Sequence, residues 1–275
     1  MIFVRKSRDS EYRLEITRAK RSNFVFRNKS SGENIMSERL WGILVSSFTK
    51  ILIPGIKVTI PLTLLAFALS MVIAVLLALA QVANIKGLKQ VSQFYIWIFR
   101  GTPIIVQLFI IFFGMPSIGI VIDAFPAAVI AFGLNYAAYN AEVVRAAILA
   151  IPKGQTEASY MIGLNYPQLM SRVILPQAFP IAFPSLFNNL ISLVKDTSLA
   201  ASITVVELFT AAQQIAARTY EPFALYCEAA LIYLMFCTVL TWLQGVIEKS
   251  FVHENKNIGN IDGEGLARGK VKRML

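Results

Sequence analysis

Charged residues are scarce in this chain of 275 residues, and their distribution is uneven. Asp, Glu, Lys and Arg make up 15% of the sequence, whereas a water-soluble domain contains roughly a quarter. Four segments contain none of them: residues 58–85, 101–122, 173–194 and 229–247. Each is as long as the roughly 18–25 residues with which a helix crosses a bilayer. The sequence therefore predicts an all-α membrane protein and excludes most soluble, disordered and fibrous classes.

Cysteine and histidine are also nearly absent. The two cysteines, Cys227 and Cys237, lie ten residues apart in the last apolar segment, so they point to different sides of a helix and act as small packing residues. The one histidine, His253, lies in the polar C-terminal segment. Because these residues cannot assemble a metal cluster or a histidine-dependent active site, we expect no catalytic residue and no metal ligand. A membrane enzyme is a disfavoured alternative.

The net charge of +10 lies mostly at the two ends of the chain. Residues 1–36 contain nine Lys or Arg against four acids, and residues 248–275 contain six against four. A nucleic-acid groove is excluded, because residues that lie in lipid cannot form a basic face. Basic segments beside membrane helices mark the cytoplasmic side or contact anionic lipid. We therefore expect membrane lipid, and no nucleic acid, as a partner.

Three regions follow from this distribution. Residues 1–36 lack a continuous apolar stretch and are predicted to be a basic soluble tail, residues 37–250 the transmembrane domain, and residues 251–275 a cytoplasmic tail. Met36 begins the stretch that runs into the first span, which suggests the hypothesis that Met36 is the biological start and residues 1–35 an upstream extension. Natively expressed protein whose intact mass includes Met1 would contradict this hypothesis.

Hydrophobicity predicts five transmembrane helices, at about residues 57–80, 91–113, 126–149, 179–194 and 223–247. Small residues repeat every four positions along the first, at Ala66, Ser70, Ala74 and Ala78. This spacing lets helices approach closely in lipid. The second contains Thr102 and Pro103, which predict a break with Thr102 as the cap of the following helix. Residues 199–217 are only moderately apolar and form either a re-entrant segment or a sixth crossing.

Basic residues predict the orientation of these spans. The positive-inside rule places the C-terminal tail in the cytoplasm together with six basic residues: Lys86, Lys89, Arg100, Arg145, Lys153 and Arg172. An odd number of crossings then puts the N-terminus outside, which conflicts with the basic residues before Met36. Either that tail is absent from the mature protein, or there is a sixth crossing.

The third predicted span is unusually polar. It contains five polar residues, which become denser toward one end: Asn135, Tyr139, Asn140, Glu142 and Arg145. Such residues are costly inside a membrane and normally face a cavity or a partner helix. Glu142 and Arg145, three positions apart, either form an ordinary interfacial ion pair or belong to a transport path. The sequence leaves both interpretations open.

A long polar segment follows the third span and carries the most specific motif. Glu157-Ala158-Ser159 is followed by Gly163 and then by Ile174-Leu175-Pro176. This pattern resembles the EAA loop of the permeases of binding-protein-dependent ABC importers, with Ser159 in place of a third small alanine. We expect two short helices here, at residues 155–164 and 167–175, the second ended by Pro176. Gly163 is expected to let a neighbouring surface approach the backbone.

Further motifs resemble those of the polar amino acid subfamily of these permeases. They are Phe99-Arg100-Gly101-Thr102-Pro103 with Gln107, Asn135-Tyr136-Ala137-Ala138-Tyr139 with Ala141-Glu142, Asn188 through Ser198 with Leu199, and Glu207-Leu208. The match covers roughly residues 50–248, in the order and at the spacing of the family. Because several linked motifs agree, the resemblance is specific to this subfamily.

The resemblance implies a division of labour between subunits. A cytoplasmic EAA-type coupling helix between the third and fourth spans would dock on a separate ATP-binding subunit through Gly154, Glu157, Ala158, Ser159, Gly163, Leu175 and Pro176. No phosphate-binding loop with the pattern Gly-x-x-x-x-Gly-Lys-Ser/Thr occurs in the sequence, so ATP and Mg would be held by the partner. The expected assembly contains two ATP-binding subunits, a second permease subunit that is identical or closely related, and an extracytoplasmic amino-acid-binding protein, in a bacterial cell membrane.

Substrate contacts are expected from polar residues in the membrane part, since a zwitterionic amino acid needs an acceptor for its ammonium group and a donor for its carboxylate. The candidates for the substrate path are Asn135, Tyr139, Glu142, Lys195, Asp196, Thr197 and Ser198. The adjacent Lys195 and Asp196 alternatively neutralise one another or pair between subunits. The alternative function is an ion-coupled secondary transporter of polar amino acids, which would show midplane charges and usually internal inverted repeats. No convincing repeat is visible, and that alternative leaves the EAA-like loop unexplained.

Overall fold

The computed structural model describes residues 38–83 and 85–271, with side chains as far as residue 251. The predicted tail at residues 1–36 and the hypothetical start at Met36 lie outside the described residues. Within the described ranges the chain forms eight helices and no strand, so the all-α prediction is confirmed. They are α1 (Glu38–Val82), α2 (Leu88–Gly101), α3 (Ile104–Ile118), α4 (Ala124–Leu149), α5 (Lys153–Met161), α6 (Tyr166–Ile203), α7 (Leu208–Thr219) and α8 (Pro222–Val271).

The centre of the fold is the pair α1 and α4, which pack against each other more extensively than any other described helices. The small residues predicted to form one face of α1 are all buried: Ala66, Ser70, Ala74 and Ala78. Gly133 on α4 adds to this close packing, because a Cβ atom there would lie 2.6 Å from the Leu69 side chain and would force that side chain to move. Close approach through small residues, as in other membrane helix pairs, holds this centre together.

Only some helices meet the length and composition of a membrane span by themselves. Within the described residues, Glu38–Val82 and Pro222–Phe251 do so, and up to four spans result if each of two bent pairs counts as one. The pairs are α2 with α3, bent by 103°, and α6 with α7, bent by 53°. The helix of the first predicted span, expected from residue 57, is already present at Glu38. The number of five crossings stays a prediction.

The predicted break in the second span is confirmed, and it separates α2 from α3. The residue that precedes α3 is Pro103 and not the predicted cap Thr102. Pro103 has an extended ψ of 137°, and no side chain caps α3. The Thr102 hydroxyl instead donates back to the Ile98 carbonyl of α2 at 2.9 Å. Thr102 therefore ends α2 and does not start α3.

The expectation that Pro176 ends a short helix is wrong. Helix α6 continues through it from Tyr166 to Ile203, because a wider π-helical turn at Met170–Ile174 ends one residue short of the proline. In that turn the Leu175 amide binds the Met170 carbonyl, five residues back. The extra residue in the turn accommodates a ring that would clash in a regular α-helix. The second short helix predicted for the EAA-like segment is thereby continuous with the helix of the fourth predicted span.

A fully buried carboxylate joins α1, α7 and α8. Glu207 accepts a hydrogen bond from the Tyr233 hydroxyl at 2.8 Å and from the Thr59 hydroxyl at 3.3 Å. It also caps α7 by accepting from the Thr210 amide at 2.7 Å. Because these donors belong to α1, α7 and α8, Glu207 fixes the start of α7 against the two longest helices.

Candidate functional site

A polar cavity lies beside the break between α2 and α3. Its volume is about 500 Å³, and residues of α2, α4 and α6 line it. The polar side chains in its wall are Arg100, Thr102, Asn135, Tyr136, Tyr139, Asn189, Ser192 and Asp196. This central cavity brings together parts of three motifs that are far apart in the sequence.

The break is held open by two amide side chains. Gln107 donates from Nε2 to the Phe99 carbonyl at 3.1 Å and to the Thr102 hydroxyl at 2.7 Å. Asn135, on α4, donates from Nδ2 to the same Phe99 carbonyl and to Gln107 Oε1, both at 3.1 Å. The carbonyl groups released at the end of α2 therefore find partners inside the protein, as burial in a membrane requires.

Opposite charges face the central cavity from its two sides. The Arg100 guanidinium lies over the Tyr139 ring, 5.4 Å from its centroid, a geometry in which the ring attracts the cation. The Asp196 carboxylate accepts a hydrogen bond from the Tyr136 hydroxyl at 2.7 Å. Each charge is thus oriented by an aromatic residue of α4, and neither belongs to an ion pair between described residues.

A second set of hydrogen bonds positions Asn189, one of the residues that line the central cavity. Asn189 on α6 donates to the Asn140 side chain at 2.8 Å, and Asn140 donates to the Ser70 hydroxyl of α1 at 3.0 Å. Asn140 is completely buried. These bonds tie three helices together at the level of the cavity, so α1 positions a cavity residue without lining the cavity itself.

Only some of the predicted substrate residues lie in the same cavity. Asn135, Tyr139 and Asp196 line the central cavity. Lys195 and Ser198 line a different, mainly apolar cavity near Tyr233, while the fully buried Thr197 donates to the Val194 carbonyl at 2.7 Å. Successive helical residues point about 100° apart, which separates Lys195 from Asp196.

The sequence prediction left out five polar lining residues: Arg100, Thr102, Tyr136, Asn189 and Ser192. All five lie within the quoted motifs, but none was assigned to the substrate path. Asn189, Ser192 and Asp196 are spaced three and four residues apart, which is one face of a helix. That spacing was a usable signal in the sequence.

Glu142 and Arg145 line a separate cavity. The Arg145 guanidinium donates from Nη2 to Glu142 Oε2 at 2.8 Å and from Nε to Oε1 at 3.3 Å, so the ion pair considered from the sequence is present. The cavity has a volume of about 730 Å³ and lies between the ends of α1, α2 and α4. Glu142 follows Tyr139 by about one turn of α4, but it lines this second cavity and not the central cavity.

The EAA-like segment forms helix α5 and a tight turn. The turn is closed by two backbone hydrogen bonds, from the Leu164 amide to the Ser159 carbonyl at 3.1 Å and from the Gly163 amide to the Tyr160 carbonyl at 3.0 Å. This is the Schellman arrangement, which needs a left-handed residue, and Gly163 has a φ of +80°. Among the described residues no atom lies within 4 Å of a Cβ built on Gly163. Glycine is therefore required here by the left-handed backbone conformation and not by close packing against another part of this chain.

One side of the EAA-like segment is exposed and apolar. Tyr160, Met161 and Ile162 are 50%, 87% and 76% exposed. On the inner side, the Ser159 side chain is buried and donates to the Gln155 carbonyl at 2.7 Å. The predicted residues Gly154, Glu157, Ala158 and Pro176 are exposed, and Leu175 is half-buried.

The start of α6 anchors this segment to the helix bundle. Leu169, Met170 and Ile174 are buried against Ala78 of α1 and Val144 of α4. From Tyr166 to Asp196 the same helix extends about 45 Å. One continuous element therefore connects the exposed apolar surface to the central cavity.

An all-helical membrane protein with a polar cavity among its helices and a separate, exposed EAA-like segment is consistent with a transport permease. Residues 70–253 match the family described as "Binding-protein-dependent transport system inner membrane component", and the chain belongs to this family. It is a multi-pass ABC transporter permease. The recognition from sequence motifs is thereby confirmed.

Relatives with assigned transport roles agree with this family. The L-cystine transport system permease protein TcyB of Bacillus subtilis (strain 168) is 49% identical over 210 residues, which are 76% of this chain and 90% of that protein. The arginine transport system permease protein ArtQ of the same organism is 34% identical, over 72% of this chain and 91% of that protein. A chain in the crystal structure of an amino acid ABC transporter with histidines is 34% identical, with a TM-score of 0.69 over 75% of this chain and 96% of that chain.

Proposed function

We propose that this chain is the permease subunit of an ATP-driven amino acid importer in a bacterial plasma membrane. The observation that carries the proposal is the central cavity, which presents Arg100 and Asp196 in a largely neutral polar wall. The names of the relatives, which refer to the transport of L-cystine and of arginine, support an amino acid as the substrate.

The charges of the cavity match an amino acid zwitterion. Arg100 supplies donors for the α-carboxylate, in the planar arrangement that suits a carboxylate. Asp196 supplies an acceptor for the α-ammonium, while Asn189 and Ser192 offer neutral polar contacts to a side chain. Because Asn135 already uses its amide group to hold the break, its part is to shape the cavity.

Coupling to ATP is assigned to the exposed residues Tyr160, Met161 and Ile162. An exposed apolar cluster of this kind is suited to a protein partner, and we propose that the partner is an ATP-binding subunit that holds ATP and Mg. Its movement would reach the cavity through α6. Only a difference in contacts between the ATP-bound and ATP-free partner can shift the permease between its inward-open and outward-open states.

The proposed assembly contains two ATP-binding subunits, a second permease subunit and an extracytoplasmic amino-acid-binding protein. A second permease is needed because one subunit cannot enclose a gated path. The binding protein would deliver the amino acid to the central cavity.

The proposal is tested by uptake into proteoliposomes. The full chain is reconstituted with its ATP-binding subunit, and labelled L-cystine, L-arginine and L-glutamine are supplied with the binding protein. We expect accumulation of at least one amino acid with ATP on the ATPase side, and none with ADP. Concentrative uptake by the chain without an ATPase, driven by an ion gradient, would establish the secondary transporter instead.

A matched pair of variants tests the coupling surface. Met161→Asp places a charge in the exposed apolar cluster and is expected to abolish copurification of the ATP-binding subunit. Val121→Asp makes a similar change at a residue that is 82% exposed at the other end of α4, and it should copurify normally. Equal copurification of both variants would contradict the assignment.

A further inference from the structure

Among the described residues, the wall of the central cavity carries no net charge. Arg100 and Asp196 are its only charged side chains, and the others are neutral. The binding of an amino acid proposed above uses both of them, because the α-carboxylate takes Arg100 and the α-ammonium group takes Asp196. Once these two pairs have formed, the wall offers no further charge to the side chain of the substrate.

Charged residues that are close to the cavity in the sequence face elsewhere. Lys195, the neighbour of Asp196, lines the mainly apolar cavity near Tyr233. Glu142 lines the second polar cavity, where both of its oxygens accept from Arg145. Neither Lys195 nor Glu142 therefore supplies a counter-charge to a substrate in the central cavity.

One face of α6 provides neutral groups for the substrate side chain. Asn189, Ser192 and Asp196 lie on this face and line the cavity. Asn189 uses its amide hydrogens to donate to Asn140 at 2.8 Å, so the atom that it offers is its Oδ1 oxygen. The Ser192 hydroxyl is half-buried and has no hydrogen-bond partner among the described residues. Such groups satisfy an amide or a hydroxyl, but they do not compensate a full charge.

We infer, on the basis of the function proposed above, that the central cavity selects amino acids with an uncharged side chain and that Ser192 determines this selectivity. The cationic side chain of L-arginine, or the anionic one of L-glutamate, lies in the cavity without a counter-ion. Selectivity then arises because the disfavoured complex contains an unpaired charge. Since a hydrogen bond to a charged group changes affinity by roughly 10- to 150-fold, discrimination of at least about tenfold is expected.

Two pairs of ligands with nearly the same shape test the selectivity. L-Citrulline has a neutral urea group in place of the guanidinium of L-arginine, and L-glutamine has a neutral amide in place of the carboxylate of L-glutamate. Their dissociation constants are measured by calorimetry on the full chain in complex with its ATP-binding subunit. The binding protein is omitted, so that only the permease selects. We expect each neutral ligand to bind at least about tenfold more tightly than its charged counterpart.

Substitutions of opposite charge test the role of Ser192. Ser192→Asp adds an acid to the wall and should raise the affinity for L-arginine relative to L-citrulline at least about tenfold, and Ser192→Lys should do the same for L-glutamate relative to L-glutamine. Ser198→Asp and Ser198→Lys are the matched controls, because Ser198 lies on the same helix but lines the other cavity. They should leave both affinity ratios unchanged. A general loss of folding cannot shift selectivity in opposite directions for the two charges.

The outcomes distinguish this inference from the proposed function. Equal affinities within either pair of ligands would overturn the inference, while ATP-driven uptake of an amino acid would leave the proposed function intact. If no amino acid binds or is accumulated with ATP, the proposed function fails and the inference fails with it. Equal shifts in the Ser192 and Ser198 variants would overturn the role of Ser192. The ligand pairs are compared on the wild type, so a variant that does not fold leaves that test of selectivity in place.

Discussion

The charge of Asp196 gives the sharpest test of the central cavity. Asp196→Asn keeps the shape of the side chain and an oxygen that can accept from the Tyr136 hydroxyl, which now donates to Asp196 at 2.7 Å. Only the negative charge is lost. If Asp196 binds the α-ammonium group of the substrate, the variant loses the charged part of one hydrogen bond while its fold is retained.

The expected size of the effect follows from that bond. A hydrogen bond to a charged group contributes about 1.5–3 kcal/mol, which corresponds to roughly 10- to 150-fold in affinity. Tyr136→Phe keeps the charge and removes only its orienting hydroxyl, so about 0.5–1.5 kcal/mol, or roughly 2- to 12-fold, is expected. Comparing the loss of affinity in Asp196→Asn with that in Tyr136→Phe therefore distinguishes the contribution of the negative charge from that of the hydroxyl that orients it.

The assay is the concentration of amino acid that gives half-maximal ATP-driven uptake in proteoliposomes. Asp123→Asn is the control, because Asp123 precedes α4 and its side chain makes no capping hydrogen bond, outside the central cavity. It should stay within twofold of the wild type. An Asp196→Asn variant with wild-type half-saturation for every transported amino acid would refute the role of this carboxylate in binding substrate.

Three further predictions concern stability. Glu207→Ala leaves at least two buried donors without an acceptor, so the unfolding free energy should fall by about 2–6 kcal/mol, seen as a lower melting temperature in detergent. Gly163→Ala places a side chain at positive φ and should cost about 1–2 kcal/mol. Gly154→Ala, in the first turn of α5, should be neutral or stabilising by up to about 1 kcal/mol, and a shared sign for the two glycine variants would contradict the turn geometry. Asn135→Leu removes a bond that holds the break, so it should increase protease cleavage between α2 and α3, whereas unchanged cleavage would show that Gln107 alone suffices.

Much of the fold was predictable, because lipid imposes simple requirements on a sequence. Runs without charge predicted membrane helices, and the repeat of small residues from Ala66 to Ala78 predicted the packed face of α1. The break before Pro103 was also predictable, since proline restricts the residue before it and starts helices. These signals are local and need no knowledge of the partner helix.

The errors arose where a distant or subtle feature decides the local outcome. Pro176 is normally a stop signal, but the π turn at Met170–Ile174 accommodates it, and that turn has no clear signature in the sequence. Gly163 was expected to let a neighbouring surface approach the backbone, whereas the structure requires glycine there because the turn is left-handed. Glu207 was considered from the sequence as a charged group available to substrate, whereas its carboxylate is bound by Thr59 and Tyr233, which are far away in the sequence.

The polarity of α4 shows why polar residues in a membrane helix overpredict substrate contacts. Asn135 is bound to the break, Asn140 links two neighbouring helices, and Glu142 is paired with Arg145. Tyr139, by contrast, is 40% exposed and lies beneath Arg100 at the wall of the central cavity. Most of the polar groups on this helix are satisfied by the protein, so polarity by itself identifies internal structure as often as a site. Of the five polar residues on α4, four are bound within the protein and at least partly buried, and Tyr139 is the one that the fold leaves exposed at the wall of a cavity.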